Sequence, residues 1–190
     1  MSANQQDSVS PTYGVRFGGV GGQGIVLAGR LLGKAAALFD GKDAVCTQTY
    51  GPEARGGASR SDVVISDEQV DYPFVTKADV LAVFFQEAYV LFRDALKPGG
   101  LLIVDTELVQ PYADDKNLHR IPATKIAEEI GSRMAANVVM LGFLVGMTGI
   151  VSRESVENAI RTTMKEKIVD MNLKAFDAGM QFAAESNAND

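Results

Sequence analysis

The sequence has one cysteine, one histidine and no tryptophan in 190 residues, and each scarcity excludes a class of chemistry. With Cys46 alone, the chain cannot build an intramolecular disulfide or its own cysteine-bound iron–sulfur cluster. We expect Cys46 to be a buried, unreactive strand residue. His119 has no acid or nucleophile beside it in the sequence, so we interpret it as an exposed imidazole rather than a catalytic base.

Motifs for autonomous catalysis are also lacking. The chain contains no G-x-S-x-G nucleophile elbow, no P-loop lysine, no cluster of metal-ligating residues and no acid/base pair at helical spacing. Positive charge is not in excess, and the formal net charge of −6 disfavours binding to nucleic acid or to an anionic membrane. The sequence therefore favours a subunit that supplies a binding surface over an enzyme that acts alone.

Long hydrophobic runs are absent as well. Residues 134–150 are the most apolar segment, but one asparagine and three glycines interrupt them, and they are too short to span a membrane. We predict a buried helix here. Because its apolar character extends nearly all round, we expect another subunit to complete its cover, with Asn137 bonded to a backbone or partner group.

The amino-terminal residues 1–12 lack the basic start and apolar core of a secretory signal. We expect them to form a disordered polar leader, and the protein to be cytoplasmic. The remaining residues 13–186 are long enough for one well-buried core, and we predict that they form a single domain.

Apolar runs that alternate with segments of helical period predict an α/β fold. No crossover helix separates the second strand (43–48) from the third (62–66), so these two are expected to be antiparallel, or connected by a long excursion, in a mixed sheet. A helix over 86–96, stopped by residues 97–100 (KPGG), joins strands 80–84 and 101–105 into a parallel unit. An edge strand is predicted at 118–121, and helices are predicted from 124, at 134–150, at 153–164 and at 167–184.

A glycine-rich turn organises this pattern. Gly19, Gly21 and Gly24 match the G-x-G-x-x-G spacing between a strand and a helix that begins at Ile25, an arrangement in which free N–H groups and the helix dipole favour a phosphate. A close-packed turn that binds nothing is the alternative. The second strand ends without the carboxylate that would hold a nucleotide ribose, which disfavours NAD, and Asp105 is either at a ligand-binding edge or a cap.

A second unusual segment runs over residues 50–60 and is predicted to be a loop. Arg55 stands beside Gly56 and Gly57, so its planar guanidinium could bind a carboxylate or phosphate that approaches the backbone closely. The alternative is an exposed ion pair between Arg55 and Glu53, worth about 0 to 1 kcal/mol. Loops with such residues carry function more often than cores do.

Four segments together closely resemble the gamma subunit of 2-oxoacid:ferredoxin oxidoreductases. They are residues 19–24 (GVGGQG) with Ala28 and Gly29, 50–57 (YGPEARGG), 62–66 (DVVIS) and 137–142 (NVVMLG). The resemblance extends over residues 15–184, and the two glycine motifs in this order are much more specific than either alone. The second motif is most similar to the 2-oxoglutarate branch, with pyruvate, branched-chain and indolepyruvate relatives left open.

The resemblance implies a three-layer α/β/α Rossmann-like domain with a mostly parallel, mixed sheet. It also implies alpha and beta subunits that carry thiamine diphosphate with Mg, and a ferredoxin-like delta subunit with [4Fe-4S] clusters. Such a complex decarboxylates a 2-oxoacid, passes electrons to ferredoxin and transfers the acyl group to coenzyme A. We expect this chain to bind no cofactor by itself, to be inactive alone and to form a homodimer when isolated.

From this resemblance we expect the glycine turn and the Arg55 loop to face the partner subunits beside the active site, and to hold the phosphates of coenzyme A or order the site. The candidate cofactor-binding residues are Gly19, Gly21, Gly22, Gln23, Gly24, Tyr50, Glu53, Arg55, Gly56 and Gly57. Two other functions remain open. The chain could be a purely structural assembly subunit, or an NAD(P)-binding dehydrogenase, which the missing ribose acid disfavours.

Overall fold

The computed structural model describes residues 12–49 and 57–188. The predicted leader over residues 1–11 and the candidate residues Tyr50, Glu53, Arg55 and Gly56 lie outside this part of the chain. The strands are β1 (Tyr13–Val20), β2 (Asp43–Thr49), β3 (Ala58–Ser66), β4 (Ala78–Val83), β5 (Leu96–Asp105) and β6 (Leu118–Ile121). The helices are α1 (Ile25–Leu38), α2 (Gln86–Phe92), α3 (Ala123–Ile130), α4 (Ala136–Thr148), α5 (Arg153–Thr163) and α6 (Glu166–Asn187), and single 3₁₀ turns at Arg93–Ala95 and Arg133–Ala135 precede β5 and α4.

The six strands form one mixed sheet in the order β2-β3-β1-β4-β5-β6. Strand β1 runs parallel to β4, β4 to β5 and β5 to β6, whereas β3 is antiparallel to both β1 and β2. The predicted mixed sheet, the antiparallel β2–β3 pair and the edge strand β6 are therefore confirmed. The reason is chain length, since the eight residues 50–57 between β2 and β3 are too few for a crossover to a parallel strand, whereas α2 connects the parallel strands β4 and β5.

Strand β3 begins earlier than predicted. The sequence predicts a loop over residues 50–60, but Ala58 pairs with Val20 and Ser59 with Gly19, which extends the β1–β3 ladder to the end of β1. In the same ladder Arg16 lies opposite Asp62, and their side chains form a buried ion pair with an Nε–Oδ1 distance of 2.7 Å. The Arg16 guanidinium also donates to the carbonyl of Val75 at 2.5 Å. No sequence pattern predicted this pair, which marks the register of the two strands.

The sheet has helices on both faces, as the three-layer expectation requires. Helices α1, α3, α4, α5 and α6 share one apolar core with Val15 and Phe17 of β1. On the other face the short helix α2 packs Ala88, Tyr89 and Phe92 against Leu81 and Val83 of β4. The layers are therefore unequal in thickness, with most of the helical mass on the α1 side.

The expectation that another subunit covers α4 is wrong. Residues 136–145 are buried, but the cover comes from this chain, because α4 lies between the other elements of the main core and α6. The two helices touch backbone to backbone: a Cβ placed on Gly179 would be 2.8 Å from the backbone N of Phe143 and 2.9 Å from the carbonyl C of Val139. A domain of this size can enclose an apolar helix without another subunit, since glycine lets α6 approach so closely.

Two further predictions were wrong in detail. Helix α2 ends at Phe92, and β5 starts at Leu96, so the KPGG segment belongs to the strand rather than to a stop after the helix. Its four residues stand opposite Asp79 alone, in a bulge between the pairs Ala78–Leu96 and Val80–Leu101. Such an irregularity accommodates a proline that could not donate to a regular ladder.

Cys46 is exposed rather than buried, because β2 is the outermost strand of the sheet. Its Sγ nevertheless lies against α1 and donates weakly to the carbonyl of Gly29 at 3.5 Å, and burial of the thiol raises its pKa. A raised pKa leaves less thiolate near neutral pH, which agrees with the expected low reactivity. Among the described residues, no helix has both the length and the hydrophobicity needed to cross a membrane.

Candidate functional site

The glycine turn connects β1 to α1 at the carboxyl edge of the parallel strands, as predicted. Gly22 and Gly24 have positive φ angles of 94° and 75°, which side chains other than glycine adopt rarely. Gly24 is the N-cap of α1, and no side chain caps this helix. The sequence spacing thus corresponds to a real strand–turn–helix unit with its helix dipole directed at the turn.

The turn leaves several backbone donors free. Within residues 12–49 and 57–188, the N–H groups of Gly21, Gly22 and Gly24 make no hydrogen bond. Gly21 and Gly22 are exposed, and the first N–H groups of α1 have no intrahelical acceptor. These donors are suited to the oxygen atoms of a phosphate or carboxylate.

Gln23 has a different environment from the glycines around it. Its Oε1 accepts a hydrogen bond from the backbone N–H of Val20 at 2.8 Å, and its Nε2 donates to the carbonyl of Phe84 at 2.7 Å. A Cβ on Gly19 would lie 2.6 Å from Oε1, so the folded-back position of the Gln23 side chain depends on glycine at 19. Both ends of this candidate binding side chain are therefore engaged within the chain.

The residues that flank the second motif lie at the same edge of the sheet as the glycine turn. Thr49, the last described residue before the loop, pairs with Arg60, and Ala58 after the loop pairs with Val20 at the start of the glycine turn. Gly57, the one described member of the motif's candidate set, accepts a hydrogen bond from the Ser59 hydroxyl at 3.4 Å. The end of the second motif at Ala58 is thus adjacent in space to the turn, although 33 residues separate Gly24 from Gly57 in the sequence, whereas Thr49 lies one strand further away.

Two cavities flank the turn. One of about 440 Å³ runs along the exposed side of α1 to Arg30 and Ser59, and Gly21, Gly22 and Gly24 form its wall. The other has a volume of about 220 Å³. Its lining comprises Gly22, Gln23, Phe84, Leu108, Thr124, Arg133, Met134 and Ala136. Each cavity thus combines apolar walls, free N–H groups of the turn and one exposed guanidinium.

The sequence analysis missed both of these arginines. Arg30 could have been found, because it lies six residues after Gly24 on the helix that the turn begins. Arg133 carried no comparable signal, since only the tertiary structure brings the start of α4 to the turn. Its guanidinium lies 3.4 Å from Glu128 in an exposed ion pair.

Asn137 connects the turn to α4. Its Nδ2 donates to the carbonyl of Gly24 at 2.9 Å, which confirms the expected backbone partner. Its Oδ1 is buried and has no hydrogen-bond partner among the described residues. The N-cap of α1 is therefore held by a side chain from the buried helix, 113 residues further along the chain.

Three other candidate features have structural explanations. Asp105 is fully buried, and its Oδ2 accepts from both the N–H and the hydroxyl of Thr124 at the start of α3, so it is a cap. His119 is partly exposed on β6, with Asn117 Oδ1 at 3.3 Å from its Nε2. Strand β3 separates β2 from β1, so the end of β2 does not lie next to the turn as the dinucleotide interpretation requires.

An acid-and-tyrosine cluster anchors the segment that follows β5. The buried hydroxyl of Tyr89 donates to Asp115 and accepts from the N–H of Tyr112 at 2.8 Å. Burial, together with the hydrogen bond to Asp115, raises the pKa of Tyr89 to about 12. The Arg93 guanidinium lies 2.9 Å from Asp115 and 4.7 Å from the centre of the Tyr112 ring. Because the Tyr89 hydroxyl is engaged by both Asp115 and the N–H of Tyr112, the cluster holds this segment against α2.

Comparison with known proteins identifies close relatives. Residues 14–182 match the family described as pyruvate ferredoxin/flavodoxin oxidoreductase. The chain is 51% identical over 176 residues to the 2-oxoglutarate synthase subunit KorC of Methanocaldococcus jannaschii, with 90% of this chain and 94% of the relative covered.

Solved structures agree with this match. The gamma subunit of the keto/oxoacid ferredoxin oxidoreductase from Geobacter sulfurreducens has a TM-score of 0.85 at 40% identity, over 93% of this chain and 98% of that one. The 2-oxoglutarate:ferredoxin oxidoreductase from Magnetococcus marinus, with 2-oxoglutarate, coenzyme A and succinyl-CoA bound, has a TM-score of 0.82 at 26% identity. In that case the match covers 92% of this chain but only 31% of the longer one.

Proposed function

The chain belongs to the pyruvate ferredoxin/flavodoxin oxidoreductase family as a gamma subunit of a 2-oxoacid:ferredoxin oxidoreductase, and we propose that its complex oxidises 2-oxoglutarate and that its glycine turn binds coenzyme A. The proposed reaction converts 2-oxoglutarate, coenzyme A and oxidised ferredoxin into succinyl-CoA, carbon dioxide and reduced ferredoxin. The 51% identity to a 2-oxoglutarate synthase subunit supports this 2-oxoacid over pyruvate, branched-chain and indolepyruvate substrates.

The redox and carbon-bond chemistry is assigned to partner subunits. Within the described residues, no group of three or more His, Cys, Asp or Glu side chains could hold a metal ion, and the whole chain has one cysteine. One cysteine does not fit a cysteine-bound iron–sulfur cluster, so we propose that the clusters lie on a ferredoxin-like delta subunit and thiamine diphosphate with its magnesium on alpha and beta subunits. Bound there, thiamine diphosphate supplies the electron sink for decarboxylation. Ferredoxin is the proposed electron acceptor.

The contribution of this chain is to bind and place coenzyme A. One observation carries this proposal: the N–H groups of Gly21, Gly22 and Gly24, which make no hydrogen bond within the described residues, lie beside Ala58, where the chain leaves the segment that contains Arg55. The backbone donors and helix dipole of the turn, together with a guanidinium carried by Arg55 three residues before Ala58, are suited to the phosphates of coenzyme A. The apolar wall along α1 then offers a path for the less polar pantetheine arm.

Replacing Arg55 by alanine in the reconstituted complex tests the site. Loss of a hydrogen bond to a charged group corresponds to a rise of about tenfold to a hundredfold in the KM for coenzyme A, while the KM for 2-oxoglutarate stays unchanged. Arg120→Ala is the matched control, because this arginine is exposed on the opposite edge strand β6. An unchanged coenzyme A dependence together with impaired assembly would instead favour a purely structural subunit.

The choice of 2-oxoacid is tested with the purified complex and a panel of substrates. Reduction of ferredoxin or a viologen dye is measured with 2-oxoglutarate, pyruvate, a branched-chain 2-oxoacid and indolepyruvate, each at several concentrations. We expect kcat/KM to be highest for 2-oxoglutarate. A higher kcat/KM for any of the other three would overturn the substrate assignment but not the family. Saturable binding of NAD(P)H to the isolated chain would revive the dehydrogenase alternative.

A further inference from the structure

We infer that Gln23 is a positioning residue, which holds the glycine turn in its binding conformation and does not itself contact the ligand. This inference rests on the proposed binding of coenzyme A at the turn. It assigns a role to a side chain that the sequence pattern alone would group with the ligand-binding residues.

The hydrogen bonds of Gln23 support this role. The backbone N–H of Gln23 donates to the carbonyl of Val20 at 3.2 Å, while the side-chain Oε1 accepts from the N–H of Val20 at 2.8 Å. Gln23 thus forms hydrogen bonds with both the carbonyl and the N–H of Val20, the residue at which β1 ends. The adjacent glycine N–H groups keep no partner among the described residues, so the side chain organises the turn without occupying its free donors.

The other end of the amide reaches across the sheet. Nε2 donates to the carbonyl of Phe84, directly after β4, at 2.7 Å, and the N–H of Phe84 donates to Gly18 of β1 at 2.9 Å. Strands β1 and β4 are neighbours whose connections leave in opposite directions, which is the crevice where open α/β sheets bind ligands. Gln23 therefore bridges the two strands at the position where the turn must be held still.

Gly19 makes this arrangement possible. A Cβ at this position would lie 2.6 Å from Oε1 of Gln23 and 2.8 Å from Cγ2 of Ile25, too close for an unshifted side chain. An alanine at 19 should therefore displace the Gln23 amide while leaving the amide itself in the chain. Gly19 therefore acts through Gln23: it leaves room for the amide that holds the turn, and neither residue is a ligand contact of its own.

The test uses the reconstituted complex with Gln23→Met, which keeps the length of the side chain and removes both hydrogen bonds. The expected result is a rise of about 10- to 100-fold in the KM for coenzyme A. This is the size of effect found when residues that orient metal ligands are replaced, and Gln23 orients the binding N–H groups in the same way. The kcat at saturating coenzyme A, the KM for the 2-oxoacid and assembly stay unchanged. Gln181→Met, at an exposed position of α6, is the control.

A double-substitution cycle tests whether Gly19 acts through Gln23. If it does, Gly19→Ala raises the KM for coenzyme A as well, and the double variant is no worse than the more severe single variant. If the two effects multiply instead, Gly19 and Gln23 act independently, and the inferred support of the turn would be overturned. A parallel fall in kcat, assembly and melting temperature would also overturn it, by showing a merely structural role.

A variant with a titratable side chain provides an independent readout. In Gln23→Glu a protonated carboxyl group can accept from Val20 and donate to Phe84, whereas the ionised form places an oxygen against the Phe84 carbonyl. Its KM for coenzyme A should therefore fall towards the wild-type value as the pH is lowered, and Gln23→Met should show no such recovery. A KM for Gln23→Glu that does not depend on pH would contradict the inference.

Failure of the inference is distinguishable from failure of the proposed site. If Arg55→Ala and Gln23→Met both leave the KM for coenzyme A unchanged, both are overturned. If Arg55→Ala raises that KM and Gln23→Met does not, the proposed site survives and only the role of Gln23 is overturned.

Discussion

Replacing Gly179 by alanine is expected to destabilise the fold by separating α4 from α6. The new Cβ would meet the backbone N of Phe143 at 2.8 Å and the carbonyl carbon of Val139 at 2.9 Å, below the ordinary contact range that begins at 3.4 Å. The obstructing atoms belong to helix backbone, so no side chain can rotate away. The two helices must therefore move apart along a buried crossing.

The magnitude follows from two opposing effects. Overpacking a well-packed core typically costs about 1–3 kcal/mol, and a backbone obstruction belongs at the upper end. Alanine is better than glycine in a helix by about 1 kcal/mol, which offsets part of that loss. The expected net loss is about 2 kcal/mol, equivalent to a fall of about 4–8 °C in Tm for a chain of this size.

The assay is thermal and urea unfolding of the isolated chain, followed by circular dichroism. Lys174→Ala, at an exposed position of the same helix, is the control and should change stability by no more than about 0.5 kcal/mol. Gly142→Ala at the same crossing should act in the same direction, because its Cβ would lie 3.0 Å from the carbonyl carbon of Phe176. The double variant should lose less than the sum, since the helices are already separated. An unchanged or raised Tm for Gly179→Ala would refute the close crossing.

Three further predictions concern buried or capped charges. Asp62→Ala leaves the buried Arg16 guanidinium without its carboxylate, so urea denaturation should show a loss of about 3–5 kcal/mol. Asp105→Ala removes the cap of α3 and should lower the free energy of unfolding by about 2 kcal/mol in the same assay. Asp40 is partly buried, which opposes ionisation, but hydrogen bonds from Ser155 and Ser152 hold its pKa below the ordinary value. A carboxyl group whose pKa is lower in the folded state stabilises the fold at pH values above its unfolded-state pKa. This stabilisation is lost as the pH falls through the folded-state pKa. The stability advantage of wild type over Asp40→Asn should therefore shrink below about pH 4 in acid titrations.

Local patterns were sufficient for the elements whose form depends on nearby residues. The glycine spacing predicted the turn before α1, and the helix predicted from 153 begins there, where the hydroxyl of the N-cap Ser152 accepts from the N–H of Ser155. The missing crossover between β2 and β3 predicted their antiparallel pairing. In each case the determining interactions span a few residues, or depend on the length of a connection.

Burial was harder to predict, because it depends on which distant segments meet. Cys46 looked like an interior strand residue until the strand order placed β2 at the edge. The apolar helix α4 looked incomplete until α6 packed against it through Gly179. Neither outcome could be read from hydrophobicity, which indicates that a residue prefers to be covered but not what covers it.

The sequence by itself determined the family, the α/β elements and the two motifs of the candidate site, since these depend on residue type, spacing and local backbone conformation. Only the tertiary structure decided how the motifs are supported: Gln23 reaches Phe84 across 61 residues, and Asn137 reaches Gly24 across 113. The physical reason is that a side-chain amide bonds to whichever backbone groups the fold leaves unpaired nearby, and strand order and helix packing select those groups.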